Sequence, residues 1–154
     1  MILYHFTAAE YLPAIRAEGL SKGEVPLTPT EYMNAVWLTT DRDPSGHGLC
    51  DERELSTKEK AFLGVPLDHP AKFPNKRAIR LTVKVKSADR RLVAWRPWAH
   101  KRLHPDWLAT LERTGGNKGR GWFLYWGVLP PSTIVSIEDL RAAEDAAAHG
   151  VATD

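Results

Sequence analysis

One cysteine, Cys50, among 154 residues leaves the chain without an internal disulfide or a zinc site built on several thiolates. Such scarcity suits a reducing compartment, and a cytoplasmic setting is expected. Long hydrophobic runs are missing too: the apolar opening meets Glu10 and Arg16 before it reaches the length of a signal-peptide core or a membrane span. No membrane partner is therefore expected. Neither sign of charge dominates, since 21 basic residues face 19 acidic ones for a formal charge of +2. That balance does not demand a nucleic-acid partner. A local absence is sharper. Residues 113 to 137 contain neither aspartate nor glutamate, so no carboxylate chemistry starts from that stretch.

What is present fits one α+β domain. With 43% hydrophobic residues, a chain of this length buries roughly two thirds of its unfolded surface in a single core. Residues 2–6 read as a strand, and Thr7 with Glu10 has the spacing of a capping box opening a helix. Leu12, Ile15 and Leu20 recur at helical spacing, Gly19 supplies the stop, and Pro13 predicts an irregular start. Residues 21–33 read as a loop and 35–40 as a second strand. Residues 47–77 are the least legible part, with a short helix expected over 51–62. Strict alternation over 79–86 predicts a half-exposed strand. Strands are also expected over 92–95, 122–128 and 134–137, with a helix over 104–113. The domain is assigned to residues 1–140, and 141–154 to a flexible or helical alanine-rich tail. Most strand pairings should be non-local and antiparallel.

Three segments then stand together: Tyr4-His5-Phe6-Thr7 with its helix to Gly19-Leu20, Val36-Trp37-Leu38-Thr39, and Trp122 through Pro130-Pro131 to Ile134. Together they resemble the ADP-ribosyltransferase-like superfamily, in the manner of small stand-alone bacterial or phage toxins and effectors. The resemblance implies a split β-sheet core with flanking helices and NAD as substrate. It implies that His5 and Thr7 orient NAD, that Trp37, Thr39 and Tyr32 surround the nicotinamide, and that Tyr125 supports the acceptor, which would be a protein or a nucleic acid. Transferases of this kind place a glutamate on the late strand to steady oxocarbenium character. Here Trp122 occupies that position, and a tryptophan carries no negative charge.

Three explanations fit the missing glutamate. An acid from elsewhere, such as Glu54, Glu59 or Glu112, enters the site; or the domain holds NAD, ADP-ribose or a related nucleotide, or a nucleic acid, without cleaving it. The third is an RNA 2′-phosphotransferase-like enzyme with His5, His47, Arg80 and Arg120 on phosphate, because guanidinium forks match phosphate oxygens. Each residue also has a plain role: His5 as a satisfied core histidine, Thr7 as a cap, and Trp95, Trp98, Trp107, Trp122 and Trp126 as packing. His100 and His104 lie four apart but name no third metal ligand. The glycines of residues 115–121 are not in P-loop order, and a flexible turn there is the simpler reading.

Overall fold

The computed structural model describes residues 1–141; the tail assignment beyond Arg141 lies outside the described residues. Among the described residues, eight strands and four α-helices form an α+β domain. A six-stranded sheet runs in the order β6-β7-β4-β1-β5-β8, from β1 (Ile2–Thr7), β4 (Val36–Thr39), β5 (Ile79–Lys84), β6 (Leu92–Ala94), β7 (Trp122–Tyr125) and β8 (Ile134–Asp139). A separate hairpin pairs β2 (Glu24–Pro26) with β3 (Tyr32–Asn34), inside the segment read as a loop. Every pairing is antiparallel. The sheet joins unevenly: β1 and β5 match over six residue pairs, whereas β1 meets β4 in register only at Tyr4 and Thr39. The β1–β4 seam is thus the shortest ladder in the sheet, and it lies beside His5.

Helix α1 (Leu12–Glu18) follows a 3₁₀ turn at Ala9–Tyr11, which is the irregular start that Pro13 predicts. Thr7 does not cap it. Thr7 stays in β1 opposite Ile79, Ala8 occupies the cap position, and no side chain caps the turn. The ladder to β5 outcompetes the local hydroxyl, because each paired backbone group is satisfied by the sheet instead. A capping box does exist elsewhere, at Ser56 and Glu59, where α2 (Thr57–Leu63) begins. Helix α2 buries none of its residues, and Phe62 is 88% exposed. Its stability therefore rests on its ends rather than on packing. Ser56→Ala should cost α2 about 1 kcal/mol, read as faster amide hydrogen exchange confined to residues 57–64.

Residues 95–102 hold the largest departure from expectation. Trp95 does not end a strand but starts α3 (Trp95–Arg102), and α4 (Pro105–Thr114) follows with His104 as its N-cap. His100 and His104 thus belong to different elements. The sheet carries a core on each face. On one, Leu3, Leu81, Val83, Val36, Leu38 and Tyr125 pack against Ile15 of α1 and against Leu20 just beyond its end. On the other, Trp95, Ala99, Leu108 and Leu124 pack with Trp37 and Trp122.

Candidate functional site

Alternation along each strand decides which predicted residues can meet, since successive side chains leave opposite faces. His5 and Thr7 share the face of Leu3, their β5 partners being Leu81 and Ile79. Trp37 and Thr39 share the other face with Trp122, for Thr39 stands opposite both Tyr4 and Trp122. The first and second groups of expected NAD contacts therefore project from opposite faces. The His5 side chain nevertheless meets the Trp37 backbone: Nδ1 lies 2.7 Å from the Trp37 carbonyl oxygen.

That contact fixes the chemistry of His5. A carbonyl only accepts, so Nδ1 carries the proton and donates, and Nε2 presents a lone pair. No hydrogen bond within the described residues occupies Nε2. Burial lowers the pKa of His5 from its usual 6.5; the Trp37 bond opposes this and the charge of Lys76 adds to it. The ring is neutral at neutral pH. A hollow of about 290 Å³ is lined by Glu10, Tyr11, Glu52 and residues 72–75. Neither His5 nor Thr7 is among its lining residues.

Aromatic packing and a buried polar chain dominate the opposite face. Trp122 stacks edge-on against Trp95 at 5.0 Å and Trp37 at 5.6 Å between ring centres. A Cβ at Gly115 would overlap the Trp122 ring, so helix α4 ends on a residue with no side chain. The Trp122 indole donates from Nε1 to His47 Nδ1 at 2.9 Å. This bond sets the His47 tautomer: Nε2 holds the proton and faces Asp41 Oδ2 and the Asp43 carbonyl oxygen, each at 3.1 Å. Lys118 Nζ completes the chain, donating to Asp41 Oδ2 at 2.7 Å and to the Ser45 carbonyl. Burial raises the Asp41 pKa, but the Lys118 bond and charge outweigh it and hold the carboxyl below the ordinary range. The His47 side chain is only 5% exposed. Its burial, with the nearby Lys118 charge, lowers its pKa below 6.5 despite Asp41.

The remaining expected residues lie apart. Tyr125 is three positions from Trp122, on the other face and roughly 10 Å along the strand, and its hydroxyl donates to Asp89 Oδ2 at 2.8 Å. Arg91 pairs with the same carboxylate, so Tyr125 serves the β6–β7 corner. Tyr32 is exposed on the small hairpin, its hydroxyl on the Pro29 carbonyl. Trp37 Nε1 donates to the Glu24 carbonyl, which pins the hairpin over the aromatic core. Thr39 Oγ1 accepts from the Asp41 amide.

None of the three acids named for the missing glutamate reaches β7 free of other work. Glu59 is held by Arg53 and Ser56, which bring its pKa down to about 2. Glu112 faces Arg96, and Glu54 lies away from β7, its backbone paired with that of Lys72 in an isolated β-bridge. The acid that does reach Trp122 is Asp41, through His47. Its sequence signal is the turn chemistry of Asp41 and Asp43, whose carboxylates accept the amides two residues on. Nothing local announces that the turn folds back onto β7. Among the described residues no group of three His, Cys, Asp or Glu side chains is placed to hold a metal ion, and no helix is long and apolar enough to cross a membrane. No family model, curated protein or solved structure matches the chain.

Proposed function

We propose that this chain is a nucleotide-binding domain of the ADP-ribosyltransferase-like kind, which takes NAD or a related nucleotide at the His5 end of β1. The observation that carries the reading is the His5 tautomer. With Nδ1 donating to Trp37, Nε2 offers a neutral ring's lone pair, which suits the hydroxyl of a ribose and repels the oxygens of a phosphate. Support also comes from the short β1–β4 ladder beside His5, which leaves fewer strand pairings at that seam than β1 makes with β5.

The same chemistry speaks against the 2′-phosphotransferase reading. Arg80 is committed to the Arg42 carbonyl and to Glu138, and His47 to Trp122 and Asp41. For transfer of ADP-ribose to a protein or nucleic-acid acceptor, a negative charge must face the nicotinamide ribose. Trp122 brings none, its N–H is spent on His47, and the Asp41 charge behind it is balanced by Lys118. Recognition without cleavage is the form of the proposal these contacts favour.

Calorimetric titration with NAD and with ADP-ribose, and an assay of the same mixtures for free nicotinamide, tests it. Binding without nicotinamide release is expected. His5→Ala should weaken binding about tenfold, the equivalent of ~1.4 kcal/mol for one lost hydrogen bond, in a protein with an unchanged circular-dichroism spectrum. Release of nicotinamide would show that a carboxylate reaches the ribose from outside position 122. Failure to bind either ligand would remove the nucleotide reading.

A further inference from the structure

The turn that leads into β7 holds a second hollow, of about 270 Å³, on the side of the molecule built by α3, α4 and that turn. It is lined by Arg96, Glu112, Asn117, Gly119 and Arg120. We propose that it is a phosphate-binding site for a nucleotide phosphate group, separate from the His5 end of β1 and independent of the reading given to it.

Four observations converge. First, the hollow carries two guanidinium groups against one carboxylate, and Glu112 is the only acid between Trp107 and Ile137. Second, these guanidinium groups are largely unspent. Arg96 faces Glu112 through Nε at 3.1 Å, which leaves its two terminal nitrogens, and Arg120 has neither hydrogen bond nor ion pair within the described residues. Lys118, the other cation of the turn, is occupied by Asp41 and Ser45 and does not compete.

Third, the floor is backbone. Gly119 is buried, and a Cβ there would come within 2.9 Å of the Trp95 ring, so the chain lies close against the aromatic core where it lines the hollow. Fourth, the turn is anchored on both sides. Asn117 adopts a left-handed conformation with φ 62°, its amide donates to the Glu112 carbonyl, and Lys118 ties the far side to the residue 41–47 turn. Guanidinium forks on a fixed frame match phosphate oxygens at little ordering cost. Glu112 orients Arg96 but also opposes an anion, so its charge limits affinity.

Titration of the intact chain with inorganic phosphate at low ionic strength is the first test, since that probe has no ribose for His5. Binding is expected at millimolar or lower concentration, weakening as salt rises. Arg120→Gln and Arg96→Gln should each reduce affinity tenfold or more, and Glu112→Gln should increase it several-fold. Arg120 is exposed, so its variant keeps the test open should Arg96→Gln fail to fold. Absence of phosphate binding, a folded Arg120→Gln variant that binds like the parent, or weaker binding by Glu112→Gln would each overturn the proposal.

Adenosine 5′-monophosphate and a five-nucleotide single-stranded DNA then separate the sources of the phosphate. Tighter binding of the first than of inorganic phosphate assigns the site to a free nucleotide. Tighter binding of the second assigns it to a nucleic-acid backbone. If neither improves on inorganic phosphate, the nucleotide assignment fails.

Discussion

Trp122→Ala should lower the stability of the domain by about 3–5 kcal/mol, the cost of emptying a large aromatic site in a packed core. The indole contacts Trp37, Trp95 and His47, and fills the space that Gly115 leaves at the end of α4. Part of the loss is polar. Without the indole N–H, the His47 Nδ1 lone pair has no donor, in a side chain almost closed to water. Trp122→Phe isolates that part: it retains a ring and should cost about 1–3 kcal/mol, most of it from the orphaned nitrogen. In a Trp122→Phe background, His47→Ala should then cost less than in the parent, a coupling measurable by urea unfolding of the four variants. Equal costs in both backgrounds would show that the hydrogen bond contributes nothing. Trp122→Glu, which restores the acid of the resembled transferases, should destabilise the domain rather than activate it, because it puts a carboxylate at a half-buried position among indoles.

Acid should destabilise the protein in two stages, and the first belongs to His5 and His47. Both have folded pKa values below the usual 6.5. Between the folded and unfolded values the unfolded chain binds more protons, so stability rises with pH in that window. It is full above about 6.5 and falls as the pH drops below it, until the folded-state pKa values are passed. Each histidine contributes a slope of at most ~1.4 kcal/mol per pH unit, and the pair at most about twice that. The second stage involves Glu59, Asp89 and Asp139, each held at about 2 by Arg53, Arg91 and Arg141 respectively. Their contribution is present above their unfolded values near 4 and is lost as pH falls towards 2. Urea midpoints measured from pH 7.5 to 5 should decline below 6.5. Replacing His47 by Gln, whose amide still offers an acceptor to Trp122, should flatten the decline, leaving the part that His5 contributes. A profile flat to pH 5 would show that neither imidazole is held neutral by the fold.

Local signals carried much of the architecture. The alternation of residues 79–86 found β5, the apolar spacing around Ile15 found α1, and Pro13 marked its 3₁₀ start. The α+β class and the antiparallel pairing also follow from the order of these elements. Trp95–Arg102 escaped, for a run with two prolines nearby and no apolar stripe has no helical period to read. The Thr7–Glu10 box misled because a capping pattern is local, and the pairing with β5 claims the same residue.

The site divides along the same line. Residue types and spacing were enough to single out His5 and Thr7 and to show that no acid lies in residues 113–137, whereas Trp37 and Trp122 came into view only through the family resemblance. Their grouping was decided by the sheet alone. Strand register sends His5 and Thr7 to one face and Trp37, Thr39 and Trp122 to the other. A turn 75 residues away in sequence brings His47 to Trp122. Helical and strand periods act over a few residues, whereas register, faces and the proton on each imidazole depend on partners that only long-range packing supplies.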